Sequence, residues 1–174
     1  MLKFWNNLIN TDCVVVSIDN KNVYPIFRNG SASLMSVCDY TYTNRAIANC
    51  KHIDVLIRDP NERFVSGLNE YCRKNNLDVD SAWDLADRGK LVDRHFAPQY
   101  MWLLNLFRFY KGKVTLYPFD QIHRYSNVHK HKSENNKDIP IIEKFVEIDR
   151  GLKKYLGRDI FIEDIIKGLK HALS

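Results

Sequence analysis

Ile53-Asp54-Val55-Leu56-Ile57-Arg58-Asp59-Pro60-Asn61-Glu62-Arg63-Phe64-Val65-Ser66-Gly67-Leu68 is the segment around which the rest of the chain is ordered. Its first five residues have the length and apolar character of a buried strand. Asp59 suits an N-cap, Pro60 suits the first helical position because its missing N–H costs nothing there, and Glu62 stands three residues after the cap. The spacing predicts a helix from Pro60 with Phe64, Val65, Leu68, Tyr71 and Cys72 on the buried face, leaving Arg63, Asn69 and Arg73 mostly outside. In an open α/β sheet this order puts Arg58 at the carboxyl end of a strand, where such folds bind ligands. An ion pair with a nearby carboxylate is the plainer role for the same arginine.

Upstream, residues 12–18 read as a strand and residues 19–22 as the turn that closes it. In Val23-Tyr24-Pro25-Ile26-Phe27 the proline has no N–H to donate, so this strand begins near Pro25 or keeps it at an edge. Arg28-Asn29-Gly30-Ser31-Ala32-Ser33 follows, and Leu34, Val37 and Cys38 then fall at the spacing of a short helix's inner face. A strand, a small-residue turn and a helix start together make an anion site. The amides of residues 30–33 lack intrahelical acceptors, the dipole favours negative charge, and Arg28 adds a fork of donors. The loop lacks the G-x-x-x-x-G-K-[ST] spacing of a Walker A motif, and a structural turn capped by Ser31 is the alternative. Its pairing with the second strand-arginine-helix unit predicts two anion sites at adjacent strand ends, suited to a ligand with two separated phosphate-like groups.

Downstream, residues 75–78 are a helix stop, Ser81 is expected to cap a short helix that ends at Gly89, and Pro98 starts a helix apolar nearly all round. Residues 113–117 read as a strand closed by Pro118. Helices are expected over 141–156, with Phe145, Ile148, Leu152 and Tyr155 inside, and over 161–173, with Ile162, Ile165, Ile166 and Leu169 inside. The segment 39–51 has no clear assignment beyond a short helix around 45–50. Residues 123–138 gather His123, Arg124, His129, Lys130, His131, Lys132 and Lys137. This is a solvated loop or a basic flap over an anionic ligand. His129 and His131 have no acidic or cysteine partner at ligand spacing, so no metal is expected.

The 174 residues fit one domain, 1–174, and 45% hydrophobic with 27% charged residues excludes global disorder. No apolar run approaches a membrane span, and residues 1–7 lack the features of a signal peptide, so a cytoplasmic location is expected. Cys13, Cys38, Cys50 and Cys72 have no paired spacing and are expected as reduced, mostly buried thiols. A net charge of +5 and a pI near 9.0 favour an anionic partner.

Residues 25–33 resemble the 5′-phosphosulfate loop of sulfotransferases that use 3′-phosphoadenosine-5′-phosphosulfate (PAPS). Ile57-Arg58-Asp59-Pro60 through Arg63-Phe64-Val65-Ser66-Gly67 resembles their 3′-phosphate motif, as written in the carbohydrate branch. His95-Phe96-Ala97-Pro98-Gln99, residues 114–117 and Lys130-His131-Lys132-Ser133 are similar to later landmarks, so the resemblance spans 23 to about 155. It implies an α/β, P-loop-like three-layer fold with a mainly parallel central sheet flanked by helices. It also implies that Arg28, Asn29, Gly30, Ser31, Ala32 and Ser33 hold the 5′-phosphosulfate, that Arg58 and Ser66 hold the 3′-phosphate, and that Lys132 adds a donor contact. The family usually has Lys where this chain has Arg28, and arginine keeps the charge without giving up its proton.

Sulfuryl transfer from PAPS to a hydroxyl, with a carbohydrate among the candidate acceptors and PAP (3′-phosphoadenosine-5′-phosphate) as product, needs in-line geometry, a base and positive charge on the leaving oxygen. His95 is the candidate base, with a structural or acceptor-binding histidine as the alternative and Asp93 and Glu62 as fallbacks. His52 precedes the strand that ends at Arg58 and should lie at the wrong end of the sheet. Two other classes rank below: a nucleotide-dependent phosphotransferase, which needs a Mg²⁺ carboxylate, and a non-catalytic polyanion or nucleic-acid binding module.

Overall fold

The computed structural model describes residues 10–125, 128, 135 and 138–173. Six strands form one mixed sheet: β1 (Val14–Ile18), β2 (Lys21–Tyr24), β3 (Tyr40–Thr43), β4 (Ile53–Ile57), β5 (Val114–Pro118) and β6 (Asp159–Ile160), in the order β3-β1-β2-β4-β5-β6. The pairs β2–β4 and β4–β5 are parallel, while β3–β1, β1–β2 and β5–β6 are antiparallel. The expected mainly parallel sheet is thus corrected to a parallel trio with antiparallel flanks. The hairpin β1–β2 turns on Asp19 and Asn20, both at positive φ as a two-residue hairpin loop requires. Pro25 follows β2 rather than starting it, because a residue without N–H cannot extend the ladder.

Strand alternation divides the core. Ile53, Val55 and Ile57 face the larger cluster, which contains Phe64 and Leu68 of α2 (Pro60–Asn75), Ala82 and Ala86 of α3 (Val79–Asp87), Leu103 and Leu106 of α4 (Gln99–Phe109) and Ile165 of α5 (Ile162–Leu173). Leu56 faces the smaller cluster, with Val16, Val23, Leu34 of α1 (Ser31–Val37), and Ile122 of the 3₁₀ segment Phe119–Arg124. Burial on both faces explains the apolar run Val55-Leu56-Ile57 of β4, while Asp54 is buried with a hydrogen bond from Tyr125.

Asp59 caps α2 as its sequence predicts, accepting from the Glu62 amide at 3.0 Å, and Asn76 ends it in the left-handed conformation. Several expectations are corrected. Arg63 is 2% exposed, not outside. Asp78, not Ser81, caps α3, accepting from the Ser81 amide at 2.9 Å. The expected helix over 141–156 is two 3₁₀ segments, Glu143–Phe145 and Ile148–Tyr155, although Phe145, Ile148 and Leu152 are buried as expected. Ile166 is 40% exposed. The edge strand β3 alternates Tyr and Thr but is mostly exposed, and β6 is only two residues long, so neither has an apolar run that announces it as part of the core sheet. The four cysteines are free thiols, three of them buried.

Among the described residues no helix is long and apolar enough to cross a membrane, and no group of His, Cys, Asp and Glu is arranged to hold a metal.

Candidate functional site

Because β2, β4 and β5 are parallel, their carboxyl ends lie at one edge of the sheet, and three turns meet there. The first is the loop after β2. Arg28 lies at φ 68°, a left-handed conformation that costs a non-glycine residue of order 1 kcal/mol. Gly30, at φ 81°, leads into α1. A side chain at Gly30 would be strained by that φ and would meet Ile122 and Phe119 of the segment after β5.

The second turn follows β4. Arg58 Nη1 donates to the Arg28 carbonyl at 2.9 Å, which ties the two arginine-bearing turns together. The Arg58 guanidinium also lies over the Phe119 ring, 5.1 Å from its centroid, and Nε is 3.7 Å from Glu62 Oε2. Arg28 Nε donates to Ser66 Oγ at 2.8 Å, and its Nη1 is 3.7 Å from Glu70 Oε2. Burial holds both guanidinium groups below their ordinary pKa, partly offset by Glu70 for Arg28 and by Glu62 for Arg58, and Arg28 adds repulsion at Arg58. Two half-desolvated cations sharing one edge favour an anion beside them.

Buried polar groups fix these turns. Asn29, 1% exposed, donates to the Leu56 carbonyl at 2.8 Å and to Gln99 Oε1 at 2.6 Å. Gln99 Oε1 also accepts from the Arg58 amide at 3.0 Å, and Nε2 donates to the Arg58 carbonyl at 3.0 Å. Asp149, fully buried, accepts from the Gln99 and Tyr100 amides at 2.6 and 3.0 Å and so caps α4. Burial raises its pKa to about 6, against those hydrogen bonds and the charge of Arg63. Arg63 in turn donates to the carbonyls of Phe27 at 3.1 Å, Ala97 and Arg94 at 3.3 Å. Burial lowers its pKa to about 10. One buried guanidinium thus joins the loop after β2 to the loop that carries His95.

A cavity of about 590 Å³ opens at the same edge, lined by Arg58 and the first turn of α2, by Phe119 and Asp120 after β5, and by Arg150 and Lys153. Comparison with protein-family models, with curated proteins and with solved structures finds no match to this chain.

The sequence-predicted residues divide as follows. Arg28 and Arg58 come together. Gly30, Ser31 and Ala32 are partly exposed, whereas Asn29 and Ser33 are buried, so their side chains belong to the scaffold and only their backbone suits a ligand. Ser66 is 0% exposed, and its hydroxyl engages Arg28 rather than standing open beside Arg58. His95 sits on Phe27, the residue before Arg28, with ring centroids 5.2 Å apart. His52 is bonded to Thr115 before β4 begins, at the far end of the sheet as expected. Lys132 lies outside the described residues. Sequence reasoning gave no role to Glu70, Arg63, Gln99 or Asp149. Arg63 had a signal: on α2 it lies next to Phe64 and one turn before Gly67, the residue that touches the His95 backbone.

Proposed function

We propose that this chain transfers a sulfuryl group from PAPS to an acceptor hydroxyl, a carbohydrate's among the candidates, through a P-loop-like cradle at the carboxyl edge of the parallel trio. The observation that carries the proposal is the 2.9 Å hydrogen bond from Arg58 to the Arg28 carbonyl. It joins two strand-arginine-helix turns, on neighbouring parallel strands, into one positive edge beside a cavity of about 590 Å³. A nucleotide with phosphates at both ends of its ribose matches two such turns better than a mononucleotide does.

In this reading the amides of 29–33 and Arg28 take the 5′-phosphosulfate, and Arg58 takes the 3′-phosphate. Ser66 acts by orienting Arg28. Arg28 and the loop amides stabilise the charge that grows on the bridging oxygen as it leaves, and arginine does so without surrendering a proton. His95 is the proposed base. The donor is a nucleotide and no metal takes part.

Calorimetric titration with PAP tests the reading, with adenosine-5′-monophosphate and ATP with Mg²⁺ as controls. Selective binding of PAP is expected. Preference for ATP with Mg²⁺ would replace the reading with a phosphotransferase. Binding of polyanions with steep salt dependence, and of none of the three nucleotides, would replace it with a polyanion-binding module.

A further inference from the structure

The loop between α3 and α4 and the outer face of α2 hold an ionisable cluster whose geometry says more about His95 than its position alone. His95 Nδ1 is hydrogen-bonded to Asp93 Oδ1, and the His95 amide donates to the same oxygen at 2.9 Å. On the other side of the ring, Lys74 Nζ is 3.3 Å from Nε2. A carboxylate only accepts, so Nδ1 carries the hydrogen. An ammonium only donates, so Nε2 offers its lone pair. Two neighbours on different elements, with opposite hydrogen-bonding character, specify the same tautomer.

The ring is also held in place. It rests on Phe27, and its backbone lies so close to α2 that Gly67 has no room for a Cβ. Arg63 bonds the carbonyls of Phe27, Arg94 and Ala97, so the histidine loop and the Arg28 turn are fastened to one guanidinium. The His95 side chain keeps 15% of its surface open. The charged groups facing this region are Asp93 and Arg94 from the loop, Glu70, Arg73 and Lys74 from α2, and Arg28 from the turn. Glu70 is 3.6 Å from Lys74, 2.6 Å from Arg73 and 3.7 Å from Arg28. Asp93 remains a carboxylate: burial alone would raise its pKa, but the bonds from the His95 ring and amide outweigh that and hold it below its ordinary value.

We infer that Asp93 is the positioning residue of a His95 general base, keeping Nε2 bare for the acceptor hydroxyl, which displaces Lys74. The inference rests on the sulfuryl-transfer reading. The hydroxyl oxygen bonds to sulfur while its hydrogen passes to Nε2. The bond from sulfur to the bridging oxygen breaks, and its electron pair leaves with PAP, whose new negative charge faces Arg28. The imidazolium, opposite the Asp93 carboxylate, then releases its proton to solvent. Glu70 retains the displaced Lys74 ammonium.

The test uses the full chain with ¹⁵N-labelled histidine, and the His95 signals are those lost in His95→Gln. Long-range ¹H–¹⁵N spectra of the wild type should show Nδ1 protonated and Nε2 bare, and Asp93→Asn, whose amide can donate to the ring, should move the population toward the Nε2–H tautomer. PAP release from PAPS with water as acceptor should fall about tenfold or more in Asp93→Asn and in His95→Gln. Adding Asp93→Asn to His95→Gln should cost nothing further, and PAP affinity should stay within about twofold in all variants. A wild type that binds no PAP, or binds it and consumes no PAPS, overturns the sulfotransferase reading and the base with it. If the wild type does bind PAP and consume PAPS, an Nε2–H wild-type tautomer, undiminished turnover in Asp93→Asn, or additive losses in the double variant would overturn this inference alone.

Discussion

At the carboxyl end of β4 three arginines, Arg28, Arg58 and Arg63, crowd into partly or wholly buried positions, and Arg58 lines an open cavity. At the amino end of the same strand His52 meets Thr115 Oγ1 at 2.7 Å, Thr115 donates to Asp159 at 2.6 Å, and Lys113 lies 3.5 Å from the same carboxylate. Tyr125 donates to Asp54 at 2.9 Å nearby. Both ends are polar and both carry histidine and carboxylate. At the amino end the donors and acceptors answer one another. At the carboxyl end the carboxylates stand off, Glu70 at 3.7 Å from Arg28 and Glu62 at 3.7 Å from Arg58, and Arg58 Nε is buried without a hydrogen-bond partner among the described residues, beside a cavity. A polar cluster becomes a candidate site when a buried donor lacks a close acceptor and there is room for what would supply one.

The largest effect should come from closing the contact that holds the carboxyl end together. A Cβ at Gly67 would run into the His95 carbonyl and come within 2.9 Å of Phe96 Cα, both main-chain groups that cannot rotate away. Gly67→Ala should cost about 3 kcal/mol, read as a drop in the urea midpoint. A loss under about 0.5 kcal/mol would show that the His95 loop is not fastened to α2 as described.

Two carboxylates, Asp149 near the cavity and Asp159 at the amino end, should answer pH with opposite signs. Asp149, near the cavity, has a folded pKa raised to about 6. Between the ordinary carboxylate value and that one, the folded state binds more protons than the unfolded chain, so raising pH through the window removes stability. Asp159 at the amino end is depressed by its hydrogen bond from Thr115 and by Lys113, so its contribution is present above the ordinary carboxylate range and lost as pH falls below it. Asp149→Asn has no such group, and relative to wild type it should gain about 2 kcal/mol between about pH 4 and about pH 6.5. Unfolding curves at the two pH values decide this, and a constant difference would rule out a folded-state pKa of Asp149 raised above its unfolded value.

Arg58→Ala removes one of the two cations without touching the amino end. PAP affinity should fall by about 2 kcal/mol, or roughly thirtyfold, while adenosine-5′-monophosphate should be nearly unaffected. Equal losses for the two nucleotides would separate Arg58 from the 3′-phosphate.

How far these regions were legible follows from the range of the forces involved. The turn from β4 into α2 is specified locally: an apolar run, a capping aspartate and a proline decide it, and the structure places Arg58 where they predict. The pairing of neighbouring strands is not local. Residues 12–27 read as two strands, but neither their antiparallel pairing nor β3 on their far side follows from residue spacing, so the sheet is mixed rather than mainly parallel. The expectation of an exposed Arg63 fails because three backbone carbonyls from two other segments compensate the burial of its charge. The 3₁₀ segments of 143–155 carry helical spacing but not helical geometry, and Arg150 instead reaches Glu143 at 2.5 Å. Ser66 was in the right neighbourhood for a different reason: on α2 it faces inward, and its hydroxyl meets Arg28 rather than solvent.

The smallest effect tests the amino end as a clamp alone. Thr115→Val keeps shape and strand propensity and removes the hydroxyl that joins His52 to Asp159. Both former partners are at the surface, with side chains 39% and 51% exposed, so water replaces the lost bonds. The cost should be about 1 kcal/mol. The five residues of β4 separate this end from the arginines by about 17 Å, more than a Debye length at physiological salt. PAP affinity should therefore stay within about twofold. A tenfold loss of PAP binding in Thr115→Val would mean that the two ends are energetically coupled through β4 and β5, and the contrast between a closed clamp and an open site would fail.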